Sequence, residues 1–534
     1  PVYYSGLATG VTVSDGGQLS ALSGGVTEVV MISSGGLEIL SSGAIGRDIT
    51  VLSGGELLLK GGTASGVTVS SGGIVSKYSV LSDTTVSGEI ISSGAFLQVT
   101  SGAEAISTTV LNGGLLSNTG GVTDGVVVSS GGHFVDSGGV VSGLVIDSGG
   151  KADIYVGSAA KADFVSGLVI RAGGAADIFF SHGTQSNSVI GNGITVSISD
   201  SDIEQDARIL SGGALWLEPA STRANDARIS AGGRLVVGGG AVAGTLVSAG
   251  GTLQIISGRA TGTTVRSGGV LTETYGGDTA TTIVLSGGRE RLSGGTSLDT
   301  TLSGGMEGVS AGGKAVHTIA SSGGVLIVAN GSASATVLAG GVEQVLSFGT
   351  ASATTLHGGT LSVQSGGRAI GTVIAGGGHV VDYAGGTVSK VTIAGGGHLV
   401  VTSGATVISA NLGSGTEVVS AGGIISGTTA FGTHAVLALA PTTGATLIVS
   451  GFKATDTIDL TDFAFGASLR HSFVEYKAKG ACVLTVTDGA LKVSISLFGQ
   501  YTAAGFHFAK DGAGTAITYM SPVHSGAELA AGHT

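Results

Sequence analysis

Three groups of side chains in this chain could do chemistry. Asp153, Asp163 and Asp177 recur in the phrases KADIYV, KADFVS and AADIFF, and the polar stretch that follows adds Asp200, Asp202, Glu204 and Asp206. Carboxylates held across a groove can serve as acid and base on a glycosidic bond. The only tryptophan, Trp216, could stack on a sugar ring beside them. Asp153, Asp163, Asp177 and Trp216 are therefore the candidate glycan contacts, although Asp is an ordinary turn residue that repeats copy, and a solvated face is the favoured reading. His379 and His398 each stand directly after a glycine triplet, 19 residues apart. Two imidazoles could share a transition metal, but no third ligand accompanies them, so the pair is read as a solvated ladder and no metal or other cofactor is assigned. The segment Gly308-Val309-Ser310-Ala311-Gly312 has the G-x-S-x-G form. It lacks the strand-to-helix elbow that exposes such a serine, and no catalytic residue is assigned.

What positions these residues is an internal repeat. Between Val11 and Gly73 the leading Gly-Gly pairs begin at Gly16, Gly35, Gly54 and Gly72, which are 19, 19 and 18 residues apart. A second glycine turn at Gly24, Gly43 and Gly61 cuts each repeat again, leaving segments too short for an ordinary helix. A period of this size predicts a solenoid. Registered on the glycines, apolar residues alternate: Val13, Val51, Val69, Val128, Val265 and Val373 lie three before the first glycine, and Leu215 with Leu217, Leu235 with Val237, and Leu326 with Val328 follow the pair. Period two places these on one face. The expectation is an all-β fold, a right-handed parallel β-helix of about 22 coils, with glycines supplying positive φ at its corners and an interior column of Val, Leu and Ile. On that fold Trp216 alternates outward, and His379 and His398 face outward from adjacent coils about 5 Å apart.

Composition agrees with this and removes other classes. The 534 residues include 101 Gly and only 4 Pro, with 42% hydrophobic residues, which is too apolar for disorder. Gly does not fall at every third position, so collagen is excluded, and no apolar run is long enough for a membrane helix. The net charge of −12 and scattered basic residues argue against nucleic acid as a partner. A single cysteine, Cys482, excludes an internal disulfide framework. The start at Pro1, without Met or signal peptide, reads as a mature or excised segment.

Taken in order, residues 1–10 read as an N-terminal edge and 11–150 as regular coils. Residues 151–230 read as irregular coils with a protruding loop, because no Gly-Gly pair occurs between Gly174 and Gly212. Regular coils resume over 231–430. Longer strands over 431–521, with a hairpin signal at Thr487-Asp488-Gly489-Ala490, predict an antiparallel β-cap, and 522–534 a polar tail.

The phrases GTTVRSGGVLTETYGG and GTVIAGGGHVVDYAGG resemble the repeats of AIDA-type autotransporter passenger domains. The closing stretch from GFKATDTIDLTDFAF to FHFAKDGAGTAITY is similar to the β-rich module that often follows such repeats. The resemblance implies a non-enzymatic bacterial cell-surface or secreted protein acting in adhesion, autoaggregation or biofilm formation. Its partners would be a host or sister-cell surface, including other copies of itself, and a glycosyltransferase of the heptosyltransferase type. It also implies that serines in glycine-flanked turns accept heptose, which here means Ser23, Ser34, Ser53, Ser71, Ser130, Ser148, Ser211, Ser267, Ser286, Ser303, Ser322 and Ser365. No outer-membrane export barrel follows the repeats, so either it was cut away or export takes another route. The alternative reading is a polysaccharide-active or glycan-binding β-helix using the acidic region 151–216.

Overall fold

The computed structural model describes residues 6–521 apart from 78–83, 157–164, 172, 181–183, 192–194, 200–202, 219, 442–443 and 477–479. The fold is an all-β parallel solenoid of about 22 turns, with antiparallel strands near the C-terminus. Among the described residues there is no α-helix. The chain forms two compact units, Pro1–Thr282 and Ile283–Thr534.

In the first unit each coil has three strand segments. Leu37–Ser41 forms the first face, and Ile45–Val51 forms the second and third, bent at Asp48 with φ 50. The next coil repeats this with Glu56–Lys60, Thr63–Ser65 and Thr68–Val69. Pairing is parallel and in register on every face: Leu40 beside Leu59, Ile45 beside Thr63, Val51 beside Val69. Alternation then sends every second side chain inward, and Val51, Val69, Leu215, Leu217, Leu235 and Val237 are fully buried. Val373 departs from the expected column and is exposed. The reason is the triplet Gly376-Gly377-Gly378: its turn closes from Gly378 N–H to Ala375 carbonyl, one residue later than in a Gly-Gly pair, so Ile374 takes the inward position.

The two glycines of each pair serve different needs. Gly54 has φ +74, a left-handed conformation that side chains resist. Gly55 has no such φ, but a methyl group there would lie 2.5 Å from the Ile32 carbonyl oxygen of the preceding coil. The first glycine turns the chain and the second lets coils touch. At the corner between the second and third faces one left-handed residue suffices, and Asp48, Asn187, Asp206 and Asp226 adopt it.

Residues in the Gly-Gly gap stay in the stack where they are described. Lys151–Val156 pairs with Ala175–Phe180 in register, and Thr195–Ser199 pairs with Ala214–Leu217. Asp153 is partnered by Asp177, 24 residues on, so this coil is longer than its neighbours; it spans 157–164, which lie outside the described residues. Within the expected loop, Thr184–Ser186 pairs with Ile203–Gln205 and Val189–Ile190 with Arg208–Ile209, both parallel, while 181–183, 192–194 and 200–202 lie outside the described residues.

The antiparallel cap begins later than the change of rhythm at 431. Val436–Leu439 and Thr457–Leu460 still stack in parallel on the preceding coils, as does Ala445–Ser450. Antiparallel strand pairing joins Leu469–Tyr476, Ala481–Asp488 and Leu491–Phe498 on one face, and Phe506–Asp511 with Gly514–Tyr519, and the latter with Thr457–Leu460, on another. The cause is that strand lengthening at 431 does not require reversal: Leu437, Leu439, Leu447 and Val449 keep the inward alternation. Phe452, Phe463, Phe506, Tyr501 and Tyr519 then fill the cap interior.

The interior is not purely aliphatic. In the second unit Thr300, Thr318, Thr336, Thr354 and Thr372 form a buried column at an 18-residue spacing. All but Thr372 meet buried carboxyls on the first face, among them Thr318, which donates to Glu307 at 2.8 Å, Thr354 to Glu343 at 2.8 Å and Thr300 to Glu290 at 3.3 Å. Glu290 and Glu307 are partners on adjacent coils. Burial pushes the Glu343 carboxyl up to about 7 and that of Glu417 up to about 8, and burial beside Glu290 holds Glu307 well above the usual range.

Two outcomes are expected. Gly341→Ala should destabilise the fold by about 1–3 kcal/mol, because a Cβ there would lie 2.5 Å from the Ala320 carbonyl oxygen; an unchanged urea midpoint would show that the coils can part at that corner. Between pH 4.5, the ordinary glutamate value, and about 7 to 8, the folded chain keeps protons on Glu343 and Glu417 that the unfolded chain has released. Stability therefore falls as pH rises through this window, by about 1.4 kcal/mol per pH unit for each such group. Urea midpoints taken at about pH 5 and pH 8 should show the fall, and Glu343→Gln should lessen it.

Candidate functional site

The serine corners are built by the turn that closes each coil. In Ser33-Ser34-Gly35-Gly36 the Gly36 N–H donates to the Ser33 carbonyl at 2.8 Å, and Gly35 has φ +75. Positive φ at the third turn residue alone is the type II pattern, which leaves Ser34 at the outer second position. The Gly35 N–H then bonds the Gly54 carbonyl of the next coil at 2.8 Å, so turn stacks on turn as strand stacks on strand.

All twelve predicted serines are exposed. The structure separates them onto two edges. Ser34, Ser53, Ser71, Ser130, Ser148, Ser211, Ser267, Ser286, Ser303 and Ser322 precede first-face strands, whereas Ser23 and Ser365 precede second-face strands. Ser303 ends the strand Thr301–Ser303 and the others sit in turns. At several of these corners the hydroxyl leans over a glycine of the next coil: a methyl group on Gly54 would lie 2.9 Å from Ser34 Oγ, on Gly149 2.6 Å from Ser130 Oγ, and on Gly385 2.7 Å from Ser365 Oγ. That glycine keeps the space above the hydroxyl clear.

Ser93 occupies the same position, with its turn closed from the Ala95 N–H to the Ser92 carbonyl at 2.9 Å. Ser42, Ser101 and Ser403 also sit exposed in turns. A search for Ser-Gly-Gly passes over all four because Ala44, Ala95, Ala103 and Ala405 replace the second glycine; counting back from the strand phase finds them.

The acidic candidates do not converge with the tryptophan. Asp153 points outward on the first face and its Oδ2 lies 2.8 Å from Nε2 of His133, one coil earlier. Asp177 is its backbone partner on the next coil, while Asp163 and the side chain of Asp177 lie outside the described residues. Trp216 belongs to the column through Ser197 and Val236, three coils beyond Asp153 and so about 14 Å away at the ordinary strand spacing. One sugar ring cannot touch both. The indole is half-buried, with the Arg234 guanidinium 5.6 Å from its ring centroid, and Arg234 also donates to Gln254.

His379 and His398 stack in register with ring centroids 5.1 Å apart and planes 9° from parallel. Parallel rings aim their nitrogens side by side, not at a common point. Among the described residues no three His, Cys, Asp or Glu side chains gather as a metal site. Ser310 ends the strand Met306–Ser310 and donates to the Leu292 carbonyl at 3.0 Å, a sheet contact with no elbow.

No family model matches the chain. No curated protein matches it either. Among solved structures it is similar to a crystal structure of a TibC-catalyzed hyper-glycosylated TibA fragment, at 23% identity over 79% of this chain and 96% of that one. The TM-score is 0.18, and a superposition of that quality carries no argument about the site.

Adding zinc in excess should leave the thermal midpoint unchanged in the wild-type chain and in His398→Ala. A rise that His398→Ala abolishes would assign a metal to the histidine pair.

Proposed function

We propose that the chain is an AIDA-type passenger domain displayed at, or secreted from, a bacterial cell surface. Its corner serines accept heptose from a dedicated glycosyltransferase, and its long outer faces act in adhesion, autoaggregation or biofilm formation without turning over a substrate. The observation that carries the proposal is the corner itself: an exposed hydroxyl at the outer position of a turn, kept clear by a glycine of the next coil, and repeated along one edge at Ser34, Ser53, Ser71 and Ser93. A transferase that reads one such corner meets the same backbone at the next. The repeat phrases that resemble this family supply the chemical class of the sugar. No described helix is long and apolar enough to cross a membrane.

Intact mass spectrometry tests the acceptor reading. Co-production with a heptosyltransferase should add mass in whole heptose units, and replacing Ser34, Ser53 and Ser71 by Ala should remove up to three of them. A chain that gains no mass, or gains it at residues away from the corners, would overturn it. Display on cells should cause clumping in the same preparation, which reports on the adhesive reading separately.

A further inference from the structure

Phe348 is a residue that the fold itself gives no reason to keep. It sits at the third position of the turn Leu346-Ser347-Phe348-Gly349, closed from Gly349 N–H to the Leu346 carbonyl at 2.9 Å, with φ 59. The following four coils all place glycine there, as Gly366, Gly385, Gly404 and Gly422, each with positive φ. A side chain in this conformation is strained, and burial could repay it. Yet the Phe348 side chain is 81% exposed, so the ring gains almost no burial. Backbone strain and an exposed aromatic ring both act against the folded state, and strain of this kind marks places where a ligand supplies what the chain does not. In the first unit Tyr275 shows the same combination, with φ 43 and 89% exposure.

The surroundings of Phe348 define the ligand class. Asn330 and Ser347 are exposed at the same edge, and the Ser347 hydroxyl donates to the Ser365 carbonyl of the next coil at 2.9 Å. Gly366 and Gly385 leave a side-chain-free path beyond the ring. Tyr383, 40% exposed, stands at the first position of the turn two coils further along. Arg368 opens the neighbouring second-face strand, paired with Thr350. An apolar protein or lipid contact would want a contiguous apolar patch, whereas here one ring stands among an amide and hydroxyls. That is the composition a sugar asks for, with an apolar ring face to stack on and polar groups at the rim for its hydroxyls.

We propose that the edge formed by Asn330, Ser347, Phe348 and Tyr383 is a saccharide-binding site, in which Phe348 stacks on the face of one pyranose ring and Tyr383 on another further along the chain. The site is distinct from the acidic region 151–216 and does not depend on the chain being a glycan acceptor.

The experiment exploits the strain. Wild-type full-length chain and the variants Phe348→Gly, Phe348→Tyr and Tyr383→Ala would be titrated with cellohexaose, maltohexaose and chitohexaose by saturation-transfer NMR, with thermal melts in parallel. At least one saccharide should bind the wild type, bind Phe348→Gly about tenfold more weakly, and keep its affinity for Phe348→Tyr. Tyr383→Ala should weaken the same saccharide. Phe348→Gly should melt higher than wild type, which separates loss of a contact from loss of the fold. The proposal fails if none of the three binds at millimolar concentration, if Phe348→Gly binds as well as wild type, or if Phe348→Gly melts lower. Binding of an apolar dye at Phe348 in place of any saccharide would also overturn it.

Discussion

The structure depends on how closely one coil can approach the next at its corners. Parallel strands sit at a fixed hydrogen-bonding distance, and a turn that joins them must keep that distance or the ladders on both sides part. In this chain the second glycine of the pair meets that demand: a side chain on Gly36 would lie 2.3 Å from the Val13 carbonyl oxygen, and on Gly349 2.3 Å from that of Val328. The first glycine is replaceable at moderate cost, as Asn330, Phe348 and His434 show by adopting positive φ themselves. The second is replaced by alanine at Ala44, Ala95, Ala103, Ala405 and Ala435, and by Thr222 and Asp456, each almost fully buried.

Stacking at this distance also explains the interior. Each inward position is repeated above itself, so a residue type that fits once tends to fit again, and threonine fits where valine does. The column from Thr300 to Thr372 is isosteric with a valine column but carries hydroxyls. Those hydroxyls make buried carboxyls tolerable at Glu307 and Glu343, which would otherwise bury an unpaired polar group at a cost of several kcal/mol. The carboxyls stay bearable by remaining protonated, their values raised by burial toward about 7 at Glu343. A polar seam inside a solenoid is therefore self-consistent, and it ties stability to proton concentration.

Much of this was legible in the sequence. Period, strand alternation and parallel stacking follow from the spacing of Gly16, Gly35, Gly54 and Gly72, because glycine pairs have few other uses at that interval. The third corner was not legible, since a lone Asp48 or Asp226 with positive φ resembles any other aspartate until the coil is closed. The triplet at Gly376 misled by one residue, which is the least a phase error can be and still reverse a face. At the corners, outward placement of the predicted serines could be read, but their division between two edges could not, because Ser23 and Ser365 share the local phrase of the others and differ only in which strand follows. The acidic candidates failed for the opposite reason: proximity in sequence placed Asp153 near Trp216, whereas the coil turns every residue of separation into distance along the stack.

The same arithmetic bears on what a decorated edge could look like. Corner hydroxyls on successive coils are about 4.8 Å apart, less than the breadth of a sugar ring, so groups on Ser34, Ser53, Ser71 and Ser93 would press against one another. Asn112 interrupts that run before Ser130 and Ser148, and Ala231 with Ala249 separates Ser211 from Ser267. In the second unit the run Ser286, Ser303 and Ser322 gives way to Ala339 and His357. The interruptions sit at positions the turn would allow serine to occupy, so turn geometry alone does not explain them. What they do is divide a crowded edge into short runs, each of which can spread its substituents into the gap that follows.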